Sequence, residues 1–132
     1  MAKELSNELV ELLTQRTFVH LATCMDDGSP QVSPVWVDVD GSHILVNSAK
    51  GRLKDRNMRT DPRVALSVTN PENPYQGVMI RGRVVEITED GADDHIDKMA
   101  SKYLGKDRYP FRGSGEVRVK YYIEADRIAR IG

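Results

Sequence analysis

The sequence predicts a mainly β fold, an antiparallel barrel of about six strands with two to three helices, in a single domain spanning residues 1–132. Three observations predict it. Period-two alternation recurs along the chain, tight-turn dipeptides separate the runs, and helices are too few to serve as crossovers in a parallel sheet. With 39% hydrophobic and 30% charged residues, the chain can bury a core without metal or disulfide staples.

Ser6 caps a short amphipathic helix with Leu5, Leu9, Leu12 and Leu13 roughly on one face. The β-rich run Thr17–Met25 follows, and Asp26-Asp27-Gly28-Ser29 reads as its turn. From Gln31 to Asp40 apolar and polar residues alternate. Val35, Val37 and Val39 share one face, and Val32, Pro34, Trp36 and Asp38 the other. Asp40-Gly41 is a second tight turn, so the first three strands are expected to form a meander. His43–Val46 is strand-like, and the next segment opens a helix that Asp61-Pro62 ends, because a residue before proline resists helical backbone.

Arg63–Thr69 is another strand, followed by a loop over Asn70–Pro74. Tyr75–Thr88 is a long strand whose apolar phase shifts near Gly82 and Val84-Val85, which predicts a bulge. Asp93–Leu104 is a helix with Ile96, Met99, Ala100 and Tyr103 at helical spacing, and Gly105–Gly115 a loop. In the last strand Val117, Val119, Tyr121 and Ile123 alternate with Arg118, Lys120, Tyr122 and Glu124; Ile128–Ile131 extends it or adds a short edge.

A formal net charge of -1 argues against bulk nucleic-acid binding. No apolar run approaches a membrane span, the first residues lack a signal-peptide core, and Cys24 is alone; the expected location is the cytoplasm. His20, His43 and His95 lack metal-ligand spacing with one another or with Cys24, so no metal site is expected. His20 reads as a packed or hydrogen-bonded strand residue, Cys24 as a buried structural thiol, and His95, among Asp93, Asp94 and Asp97, as part of a solvated helix face. Gly113-Ser114-Gly115 does not continue as a dinucleotide fingerprint, and neither a Walker loop nor a nucleophile elbow occurs. No catalytic residue is assignable, so any redox or transfer chemistry would belong to a bound cofactor.

Ser48–Arg59 is where such a cofactor would be anchored. It carries five cations and one acid in a chain of nearly balanced charge. A helix start offers unpaired N–H groups and a positive dipole end, and cations there cost stability unless an anion offsets them. A helical wheel puts Lys50, Lys54 and Asn57 on one side and Arg52, Arg56 and Arg59 on the other, with Arg52 also able to reach the ligand from the loop. The competing reading is a solvated surface helix. Trp36 either fills the core or an interface, or walls a flat aromatic ligand. In Tyr75-Gln76-Gly77 the glycine permits close backbone approach beside groups that stack or hydrogen-bond.

Taken in order, Leu21-Ala22-Thr23, Asp27-Gly28-Ser29-Pro30-Gln31-Val32-Ser33-Pro34-Val35-Trp36, Asn47-Ser48-Ala49-Lys50-Gly51-Arg52-Leu53-Lys54-Asp55-Arg56-Asn57 and Asp61-Pro62-Arg63-Val64-Ala65 resemble the pyridoxamine 5′-phosphate oxidase-like split β-barrel superfamily. Tyr103–Pro110 is similar to its small branch that uses the deazaflavin coenzyme F420. The resemblance covers nearly the whole chain from about Phe18 onward. It implies a homodimer of split barrels with cofactor sites at the subunit interface. Arg52, Lys54 and Asn57 would hold the cofactor phosphate, with Asn47 and Ser48 beside them. Pro34, Val35 and Trp36 would lie along the deazaflavin ring, and Tyr75, Gln76 and Gly77 would come from the partner subunit. Tyr109 and Arg112 would border the substrate.

The expected activity is hydride transfer from reduced F420 to a small conjugated or quinone-like acceptor, a tetrapyrrole among them. Pyridoxamine phosphate oxidation is not expected, because residues 127–132 do not reproduce the arginine- and histidine-containing carboxy-terminal segment of those oxidases. FMN is the alternative cofactor, and a non-catalytic deazaflavin carrier the alternative role. Lys50, Arg52, Lys54 and Arg56 exceed what one phosphate needs, which favours the longer polyanionic coenzyme.

Overall fold

In the computed structural model, which describes residues 2–131, the alternating runs form seven antiparallel strands in one sheet. The order is α1 (Asn7–Thr14), β1 (Val19–Cys24), β2 (Pro30–Val35), β3 (Asp38–Asp40), β4 (His43–Ala49), α2 (Leu53–Thr60), β5 (Arg63–Asn70), β6 (Asn73–Thr88), α3 (Ala92–Leu104) and β7 (Arg118–Arg130). Across the sheet the strands run β2-β1-β5-β6-β7-β4-β3. The fold is a split β-barrel.

The seventh strand arises where one was expected over Gln31–Asp40. The run breaks at Trp36-Val37, and the cause lies on α3. Val37 N donates to Tyr103 Oη at 3.0 Å, and Val37 O accepts from Lys102 Nζ at 2.8 Å. Backbone groups that a neighbouring strand would pair are satisfied by helix side chains instead. The first half stays on β1 and the second pairs with β4, at opposite ends of the sheet. Two residues therefore bridge the two edges, which curls the sheet into a barrel and replaces the expected meander with two hairpins.

Inward positions of the strands make the core with Leu9, Leu12 and Leu13 of α1, which Ser6 caps by accepting from Leu9 N at 3.2 Å. Ile96, Met99 and Tyr103 of α3 form a second cluster with Trp36, Leu104 and Tyr109. The phase shift in β6 is a pair of register irregularities, at Arg81/Gly82 and Val84/Glu86. A Cβ on Gly82 would sit 2.1 Å from Glu124 O, so the sheet demands glycine there. β7 runs unbroken to Arg130, absorbing most of the tail.

Candidate functional site

β4 delivers the chain into α2 through Gly51, whose φ of 91° suits glycine, and Arg52 takes the N-cap position without a side-chain cap bond. Beneath this corner Asp55 is 1% exposed. It accepts from Gly51 N at 2.8 Å, Arg59 Nε at 3.0 Å and Tyr121 Oη at 2.5 Å. The buried carboxylate thus ties the loop, the helix and β7 together. Burial, and donation to Asp55, push the Tyr121 phenol well above its ordinary range.

A cleft of about 190 Å³ opens above this corner. Pro34, Val35, Trp36, Asn47, Ser48, Arg52 and Lys54 line it, so seven of the residues expected at the cofactor come together. Phe18, Ile96, Tyr109, Phe111 and Arg118 complete the wall. Trp36 stacks on Tyr103 at 5.0 Å and 4°, while Tyr109 meets its edge at 6.0 Å.

The polar side of the cleft is one network. Glu116 bridges Arg52 Nη2 at 3.0 Å and Arg118 Nη1 at 3.1 Å. Arg118, 4% exposed, also donates from Nε to Asn47 Oδ1 at 2.9 Å and lies over the Tyr109 ring. Asn47 Nδ2 donates to Ala92 O at 2.9 Å and to His95 Nδ1 at 3.0 Å; His95 Nε2 faces Asp38 Oδ2 at 3.0 Å. Burial would raise the Asp38 carboxyl, yet hydrogen bonds from His95, Val39 N and Lys98 hold it well below the usual range.

Two groups in the cleft lack partners among the described residues. Ser48 Oγ is buried without a hydrogen bond. The half-buried Lys54 ammonium makes no hydrogen bond; burial, with Arg52 and Arg118 alongside, lowers its pKa. An unpaired hydroxyl beside an ammonium disfavoured by its surroundings is chemistry that an anion would satisfy.

The remaining expected residues lie elsewhere. Asn57 is 3% exposed and turns into the barrel, donating to Thr23 Oγ1 at 3.0 Å and Met25 Sδ at 3.3 Å. Lys50 and Arg52 precede the helix, so the wheel does not apply to them: Lys50 pairs with Glu89 and Arg52 reaches the cleft from the N-cap, while Arg56 lines a separate hollow and Arg59 is on Asp55. Of the four cations counted toward a polyanion, only Arg52 and Lys54 face the cleft. Tyr75, 85% exposed, and Gln76 and Gly77 open β6 and do not line the cleft of their own chain. Arg112 pairs with Asp93 and Asp97 outside the cleft.

Three further readings change. His95 is buried, 8% exposed, rather than on a solvated face, because Asp38 and Asn47 pair both ring nitrogens. His20 is exposed on β1 rather than packed. Cys24 is half-buried, its Sγ 3.9 Å from Arg63 O. Among the described residues no three His, Cys, Asp or Glu side chains are grouped to hold a metal. Arg118 and Asp55 escaped sequence reading; Arg118 carried one signal, an arginine between valines in a strand whose outer face α3 covers.

Two larger hollows, about 560 Å³ each, lie along β1, β5, β6 and β7. Alanine and aliphatic side chains line both, with Thr23, Cys24, Arg63, Arg81, Asp126 and Arg127 in one and His20, Ser67, Arg81 and Arg127 in the other; neither holds an unpaired buried polar group among the described residues or sits at a helix start, so the smaller cleft is the candidate site.

The class defined by fold and site is a split barrel whose aromatic-walled cleft gathers cations at a helix start. The sequence profile of the pyridoxamine 5′-phosphate oxidase family matches residues 5–127, and the chain belongs to that family. Among solved structures it is similar to an F420 reductase, at 30% identity and a TM-score of 0.81, covering 90% of this chain and 94% of that one. A FAD-binding protein from Mesorhizobium loti is 25% identical with a TM-score of 0.67, covering 97% and 95%. A conserved hypothetical protein from Mycobacterium tuberculosis, 21% identical with a TM-score of 0.73 and covering 98% and 86%, shares the fold. None of the curated proteins matches the chain.

Proposed function

We propose that this chain is an oxidoreductase that binds reduced coenzyme F420 and reduces a small conjugated or quinone-like acceptor. The observation that carries the reading is the partnerless pair Lys54 and Ser48 Oγ beside Arg52 at the start of α2. These groups fit a phosphate, which would take hydrogen bonds from both and from the helix start. Bound there, the reduced deazaflavin supplies a hydride. Pro34, Val35 and Trp36 would flank its ring and exclude water, and Tyr109 or solvent would deliver the proton to the acceptor. The similarity to an F420 reductase supports this cofactor over FMN.

The cleft is smaller than the roughly 300 Å³ or more that ligands of cofactor size fill. That shortfall supports a homodimer in which the partner completes the site with Tyr75, Gln76 and Gly77. A second copy would cover the apolar outer face, where Val32, Met79 and Ile128 are 62%, 48% and 37% exposed. No described helix is long and apolar enough to cross a membrane.

The test is equilibrium binding of F420 and FMN to the apoprotein, followed by oxidation of the reduced coenzyme against enone, quinone and tetrapyrrole acceptors. Tighter binding of FMN refutes the cofactor assignment, and binding without oxidation by any acceptor leaves a carrier. Lys54→Ala should weaken F420 about tenfold or more while folding holds, since a charged hydrogen bond is worth about 1.5–3 kcal/mol.

A further inference from the structure

The amide of Asn47 is oriented by two partners that have no choice of role. Arg118 Nε–H can only donate, so the atom 2.9 Å from it is Oδ1; Ala92 O can only accept, so the atom 2.9 Å from it is Nδ2. That Nδ2 also lies 3.0 Å from His95 Nδ1, which must therefore be an unprotonated acceptor. The ring hydrogen is on Nε2 and is donated to Asp38 Oδ2 at 3.0 Å. A buried histidine is thus held as a single neutral tautomer, one residue removed from an arginine that lines the cleft.

We propose that His95 is a positioning residue: in this tautomer it fixes Asn47, which holds the Arg118 guanidinium toward an anionic ligand, so that protonating His95 weakens anion binding. The proposal rests on the reading of the cleft as an anionic-cofactor site. A second ring hydrogen, on Nδ1, would confront the Asn47 NH₂ donor against donor. Turning the amide over satisfies the ring but aims NH₂ at Arg118 Nε–H and Oδ1 at Ala92 O, losing two hydrogen bonds for one. Arg118 then keeps its ion pair with Glu116, which Arg52 shares, and its place over the Tyr109 ring, but loses the hydrogen bond that fixes Nε.

The surrounding charges are Asp38 from β3, with Lys98 on the same carboxylate at 3.2 Å. From β7 come Arg118 and, near Gly91 at the start of α3, Lys120; α3 itself carries Asp93, Asp94, Asp97, Lys98 and Lys102. None of these besides Asp38 contacts the ring, so the Asn47 side decides what protonation does to Arg118.

Nitrogen-resolved NMR of the ligand-free protein tests the tautomer. Nδ1 should be unprotonated and Nε2 protonated, and the Arg118 Nε–H signal should change with the same acid midpoint as the His95 ring. The opposite tautomer, or separate midpoints, would overturn the proposal. In the binding arm, F420 affinity should fall about tenfold as pH drops through that midpoint, the worth of one charge-assisted hydrogen bond. It should stay level in His95→Asn, whose Oδ1 can accept from Asn47 and cannot be protonated. Equal losses in both proteins would also overturn it. If neither F420 nor FMN binds, the cofactor reading fails by itself; the NMR arm, which uses the ligand-free protein, still decides the positioning role. Should His95→Asn not fold, the wild-type spectra decide alone.

Discussion

Replacing Asp55 by asparagine tests whether the cleft floor is built as described. The substitution preserves volume, but the carboxylate is 1% exposed and accepts three hydrogen bonds. With the amide oxygen toward Tyr121 and Arg59, its NH₂ meets Gly51 N–H. Reversed, it meets Arg59 Nε–H. Either way a donor loses its acceptor, Gly51 N–H ahead of α2 or Arg59 Nε–H in its last turn, at a cost of about 1–3 kcal/mol, and losing a carboxylate near the helix N-terminus adds about 0.3–1 kcal/mol. The Arg59 pair, with the arginine side chain 40% exposed, contributes little of this. The expected loss is about 2–3 kcal/mol. Urea unfolding followed by fluorescence of Trp36, the single tryptophan, would show it. With a slope of about 1–3 kcal/mol/M the midpoint should fall by roughly 0.7–3 M. A loss under about 0.5 kcal/mol would refute the account of Asp55 as the strut under the cleft.

Ser48→Ala removes a buried hydroxyl that has no partner, so the ligand-free protein should be no less stable, while F420 binding weakens several-fold; paired melts with and without F420 would show both, and a destabilised apoprotein would contradict the assignment. Tyr103→Phe orphans Val37 N–H and Thr17 O, both bonded to the phenol at 3.0 and 2.8 Å, so about 2–4 kcal/mol of stability and the slow amide exchange of Val37 should be lost. Burial raises the Tyr103 and Tyr121 phenols, so the folded chain keeps these protons above pH ~10 where the unfolded chain releases them. Their contribution to stability is therefore full below that pH and drains as pH rises toward the folded values. Phenolate absorbance of the folded protein should lag that of the unfolded chain by two tyrosines.

The strands, the three helices and the β6 bulge were legible because alternation, caps and turn dipeptides are local signals. The break at Trp36-Val37 was not, since it depends on Tyr103 and Lys102, more than sixty residues away, reaching the backbone of Val37. The cleft was legible where it follows chain order, through Pro34–Trp36, Asn47-Ser48, Arg52 and Lys54. It was illegible where α3 folds over the sheet. His95 and Arg118 look solvated in the sequence because aspartates and alternating polar positions surround them, and only packing puts them behind Asn47. Asn57 stands apart from the cleft for the opposite reason. Its spacing from Lys54 suits a helix face, but α2 starts at Leu53 and turns Asn57 toward Thr23 and Met25.

Charge placement bears directly on which anion the cleft would suit. Arg52, Lys54 and Arg118 stand against Glu116 alone, so the site is locally cationic in a chain with a net charge of -1. Glu116 already occupies one face of each arginine, and an incoming phosphate would meet Lys54 and Ser48 without displacing it. A polyanionic tail is a different matter. Outside the cleft Lys50 is engaged by Glu89, and the hollow holding Arg56 also holds Asp26 and Asp27, whose carboxylates would repel glutamates. A single protomer would therefore suit the phosphate and ring of the proposed coenzyme and give its tail little purchase. Any preference for a long tail over a bare phosphate would have to come from the partner subunit's surface rather than from the basic segment that first drew attention to the site.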